Sequence, residues 1–73
     1  MSELSVWVVF DHPLDFPDHY VVRRQVAMRG SVWHDPMVYL SSTLDGARAA
    51  IPPGLYRLDR HPDDDPKIVE AWV

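Results

Sequence analysis

Thr43-Leu44-Asp45-Gly46-Ala47-Arg48-Ala49-Ala50-Ile51-Pro52-Pro53-Gly54-Leu55-Tyr56-Arg57-Leu58 is the one stretch of the chain with both ends of a helix written into it. Thr43 is a good N-cap, because its hydroxyl accepts from an amide that the first turn leaves without a partner, and Asp45 places negative charge where those amides point. Leu44, Ala47 and Ile51 fall on one face at helical spacing, while Arg48 lies off that face. Pro52 stops the run, since the residue before a proline is pushed out of the α region and the proline has no N–H to donate. The spacing predicts a short helix over about residues 43–51, a turn at Pro53-Gly54 and a strand over residues 55–60.

Working back from the helix, the chain reads as strands. Residues 4–10 contain Val6-Trp7-Val8-Val9-Phe10, a β-branched and aromatic run too short for a typical helix. Apolar side chains on both of its faces predict an inner strand covered on both sides. Residues 11–19 form a loop, because Pro13 and Pro17 break any ladder and the aspartates favour local turns; Leu14 and Phe16 are the apolar exceptions within it. Residues 20–29 alternate, with Tyr20, Val22, Val26 and Met28 on one side and Val21, Arg23, Gln25, Ala27 and Arg29 on the other. Arg24 falls on the apolar side, where its stem is expected to pack while its head reaches water or a carboxylate. Gly30-Ser31 is a turn, Val32-Trp33-His34 continues as strand, Asp35-Pro36 interrupts it and residues 37–41 resume, pairing antiparallel with residues 20–29.

Beyond the helix, residues 55–60 place Tyr56 and Leu58 on one face and Arg57 and Asp59 on the other. The acidic loop at residues 61–66 and the strand at residues 67–73 complete a hairpin. The order is β-β-β-α-β-β, which predicts an α+β fold: a four- to five-stranded, mostly antiparallel sheet with one short helix on one face. If the third and fourth strands share a sheet, the connection through the helix permits a parallel crossover, and the sheet is then mixed.

Seventy-three residues correspond to a single small globular domain, with roughly 4,600 Å² of surface when folded against roughly 12,000 Å² unfolded. The chain has no cysteine, which excludes disulfides and thiolate zinc sites and fits a reducing compartment. Its three tryptophans argue against disorder. No basic leader with an apolar core is present, and no apolar run approaches the roughly 20 residues that span a bilayer, so the expectation is a soluble, cytoplasmic chain with no membrane partner. The net charge of −4 weakens a nucleic-acid reading.

A mismatch of sizes bears on function. An eight-residue helix is roughly 12 Å long, while four or five strands about 4.8 Å apart span roughly 14 to 19 Å between the outermost. Yet Val6, Val8 and Phe10 oppose Trp7 and Val9, and Ile68 and Trp72 oppose Val69, Ala71 and Val73. One sheet face therefore needs other cover. Either the loop at residues 11–19 folds Leu14 and Phe16 over it, or a second copy or another protein packs there through Trp7, Val9, Ile68 and Trp72.

Chemistry-bearing clusters are sparse. Asp11-His12-Pro13, Asp18-His19, His34-Asp35 and His61-Pro62-Asp63 pair carboxylate with imidazole, but without any metal-site spacing, and they read as turn residues. Asp63-Asp64-Asp65 lacks the alternation and glycine of a calcium loop. Ser41, Ser42 and Thr43 sit where hydroxyls cap a helix, with no G-x-S-x-G elbow beside them. Glycine at positions 30, 46 and 54 alone leaves no phosphate-cradling loop. No cofactor is implied. Arg23, Gln25 and Arg29 on one strand face, with Arg57 level with them and Trp33 or Tyr39 nearby, form the pattern that single-stranded nucleic acid prefers, set against a solvated outer face interleaved with Asp59 and Glu70. The expectation is a non-catalytic domain acting by protein contact, as a homodimer or accessory subunit, with nucleic-acid binding through Arg23, Arg29 and Arg57 as the alternative.

Overall fold

The computed structural model describes residues 3–73. Five strands form one sheet: β1 (Leu4–Asp11), β2 (Tyr20–Met28), β3 (Ser31–Ser41), β4 (Arg57–Asp59) and β5 (Ile68–Trp72). Their spatial order is β3-β2-β1-β5-β4, and every hydrogen-bonded pair is antiparallel. The β-branched run in β1 lies at the centre, as its two apolar faces demand.

The helix α1 (Leu44–Ala49) is six residues long, shorter than its sequence spacing suggests. Thr43 caps it, its Oγ1 accepting from the Gly46 amide at 3.0 Å, and the amides of Ala50 and Ile51 close the final turn on Ala47 and Arg48. It lies over Val9 and Val22, with Ala47 buried between them and Leu44, Ala50, Ile51, Val69, Trp7, Tyr20 and Trp72 packed around. The connection from β3 through α1 crosses the sheet to β4 at the far edge. These two strands point the same way without pairing, so the crossover exists and the sheet is not mixed.

Two bulges adjust the register. Between Arg23 and Gln25 of β2, Asp35, Pro36 and Met37 of β3 stand opposite the single Arg24, and the Asp35 carboxylate accepts from the Met37 amide at 2.9 Å. The proline thus sits on an edge strand, where its missing donor costs no ladder bond. In the other bulge, Val9 faces Glu70 and Phe10 faces Ile68, leaving Val69 extra. Both Val69 and Glu70 then serve the helix side, Val69 against the core and Glu70 beneath Arg48. The same bulge puts Ile68 beside Phe10 on the opposite face from Trp72, where strict alternation would have kept the two together.

Candidate protein-contact surface

The helix side is built around a buried carboxylate. Glu70 is 0 % exposed, and both of its oxygens are engaged. Arg48 of α1 donates from Nε at 3.0 Å and from its terminal nitrogen at 2.7 Å, Arg57 of β4 donates from Nε at 3.0 Å, and the Trp72 indole donates at 2.7 Å. These bonds, with Arg48 first and Trp72 and Arg57 adding to it, hold the Glu70 pKa down to about 2 against the opposing effect of burial. The helix and the short edge strand are thereby tied to the same atom pair. Alongside runs an aromatic strip: Trp72 opposite Trp7, the Trp7 and Tyr39 rings 6.2 Å apart, and Trp33 with the Arg24 guanidinium 5.6 Å from its centroid. Arg24 also reaches Asp35 at 3.2 Å and Ser5 at 3.3 Å, the packed stem and satisfied head expected of it.

The other face has no helix. Register places its side chains in rows: Leu4, Ala27 and Val32 at one end; Val6, Gln25 and His34 next; then Leu58, Ala71, Val8, Arg23 and Val38; and Ile68, Phe10, Val21 and Leu40 at the other. Val8 and Val21 are buried, whereas Leu4, Val32, Leu40 and Leu58 are each about half exposed. The loop between β1 and β2 covers Phe10 and Val21 of the last row and reaches Arg23 of the row before it, leaving Leu40 about half exposed. Pro13 is buried and Phe16 half-buried, and the Arg23 guanidinium lies 6.0 Å from the Phe10 ring and 5.9 Å from that of Phe16, paired with Asp15. Leu14 does not join them; it stands 94 % exposed. It forms the rim of an open cleft of about 570 Å³, shared with Phe10, Pro13, Asp15, Arg23, Asp65, Pro66 and Lys67.

The residues singled out for contact do not make one surface. Val9 is fully buried beneath α1 and offers nothing to a partner, Trp7 and Trp72 are half-buried on the helix side, and Ile68 lies on the helix-free side. Nor do the three arginines converge. Arg23 is on the helix-free face with Asp15, Arg57 is on the helix side with Asp59 and Glu70, and Arg29 sits by the β2–β3 turn. Glu70 is not on a solvated face at all. The sequence did carry the signal for the surface that is bare, since Leu4, Val6, Val8 and Phe10 alternate; what it withheld was which face the helix takes.

The acidic and histidine clusters act within turns. The Asp64 carboxylate accepts from the His61 amide at 2.9 Å and that of Asp65 from the Lys67 amide at 2.9 Å, while His12 bonds Asp11 and meets the Tyr20 ring edge-on. Among the described residues, no three His, Asp or Glu side chains are grouped to hold a metal ion, and no helix is long and apolar enough to cross a membrane.

Comparison with family models, with curated proteins and with solved structures gives no match.

Proposed function

We propose that the chain acts by protein contact through its helix-free sheet face, and that the partner is a second copy. The carrying observation is that Leu4, Val32, Leu40 and Leu58 lie half exposed on a face where, among the described strand residues, the one charged side chain is Arg23, already paired with Asp15 of the loop. On a chain of net charge −4, such a face meets its own copy with the Arg23 charge on each side already neutralised by Asp15. The accessible surface of 5139 Å² is about 500 Å² above the roughly 4,600 Å² that size scaling gives a compact monomer of 8.4 kDa. Addition of a strand at an edge is less favoured, because β4 is three residues long and β3 is broken by the Pro36 bulge.

Two sheets stacked about 10 Å apart, each with its helix outward, bury both bare faces. Leu40→Glu places a charge in that layer beside the buried Val21, and in a variant that circular dichroism shows still folded is expected to weaken dimerisation by about 30-fold or more in sedimentation equilibrium. An unchanged dissociation constant overturns the reading. Nucleic-acid binding finds less support, since Arg23 and Arg57 are both spent on carboxylates and occupy opposite faces. Salt-dependent retention of a single-stranded oligonucleotide at low ionic strength would revive it.

A further inference from the structure

We infer that the two copies pack head to tail, with Leu14 of each seated over the Leu4–Ala27–Val32 row of the other. This rests on the contact reading above and adds the orientation and the anchor.

The helix-free face has a raised end and a bare end. The β1–β2 loop lays Phe16 over the Phe10 row, while six residues earlier along β1, about 20 Å away, Leu4 and Val32 are about half exposed on either side of Ala27, and none of the described loop residues is packed on that row. Ala27 is the small member of that row, flanked by two half-exposed aliphatic side chains, so the row is a shallow socket. Leu14 is the most exposed large apolar side chain among the described residues and stands on the rim of the raised end. A two-fold axis lying between the sheets and across the strands, near the Val8–Arg23 row, brings each raised end onto the partner's bare end, so the same contact forms twice. An axis along the strands would instead press the raised ends together and leave the bare ends apart.

Charge separates the same two arrangements. The raised end carries Asp11, Asp15 and Asp18 and, from the adjoining β4–β5 loop, Asp63, Asp64 and Asp65, against Arg60 and Lys67. The bare end carries Arg29 at the β2–β3 turn and Glu3 ahead of β1. Head-to-tail packing keeps the two acidic ends apart and brings each toward the partner's Arg29, whereas raised end on raised end gathers the aspartates of both copies.

The absence of native cysteine makes the test direct. Leu14→Cys and Leu4→Cys are prepared separately, mixed and oxidised. The mixture is expected to give a disulfide-linked dimer of the two variants, while Leu14→Cys alone stays unlinked. Leu14→Ser, which leaves the folded chain intact because the side chain touches little of it, is expected to raise the dimer dissociation constant by about 30-fold, with Leu14→Met restoring it. Linkage of Leu14→Cys to itself, or no linkage in a chain that light scattering finds dimeric, overturns the orientation and leaves the contact reading standing if Leu40→Glu still dissociates the dimer. A wild-type chain that stays monomeric overturns both.

Discussion

Glu70 is the residue on which most of the helix side depends. Its folded pKa of about 2 lies below the usual 4.5, so the unfolded chain takes up the proton first as pH falls. The stability it contributes is complete above about pH 4.5 and is lost as pH drops through about 2. The shift corresponds to about 3 kcal/mol. Glu70→Gln keeps the shape and loses the charge, leaving Arg48 without its carboxylate and Arg57 with Asp59 alone. Because both are partly open to water, the expected cost lies at the low end for a broken buried pair, about 2 kcal/mol in urea unfolding at neutral pH. The variant's stability should also fall less between pH 5 and pH 2 than that of the wild type. A parallel fall in both would show that the carboxylate is not held as the geometry requires. None of this was legible in the sequence, where Glu70 reads as one of many acidic residues; its partners Arg48 and Arg57 lie 22 and 13 positions away.

At the scale of the elements, the helix was legible where local chemistry decides and not where packing does. Thr43 marks its start by a hydrogen bond that involves only neighbours and acts as expected, whereas the helix stops at Ala49, two residues short of the Ile51 that Pro52 was expected to make the last. Six residues are too few to form a stable helix alone. Thr43→Ala is expected to cost about 1 kcal/mol, read as a fall in the thermal midpoint at a fixed protein concentration. No change would mean that the Arg48–Glu70 tie alone positions α1. The strands divide the same way. Pro36 announces the β3 bulge, since a proline cannot donate to the ladder, but nothing in Lys67-Ile68-Val69-Glu70 announces the bulge in β5. That extra residue shifts the alternation by one and moves Ile68 to the other face, which is why a contact set drawn from strict period two joined residues from opposite sides.

Across the whole molecule, one short helix and one loop must cover two sheet faces, and they do not. The helix takes the Val9–Val22 patch and Phe16 takes the Phe10 end, leaving Leu4, Val32, Leu40 and Leu58 half exposed and Leu14 in water on the helix-free side, while Met28, Trp33 and Tyr39 stay partly exposed on the other. That shortage follows from length alone and was legible before any coordinate; the face on which it falls was not, because it depends on which side α1 crosses. Association through the bare face is expected to persist at high salt, since it is aliphatic, and to weaken on cooling as hydrophobic attraction fades. The most direct measurement is multi-angle light scattering on the wild-type chain across a concentration series reaching the high micromolar range. A mass rising toward twice 8.4 kDa is expected. A mass fixed at that of one chain throughout, with the exposed leucines still in water, contradicts the proposed contact.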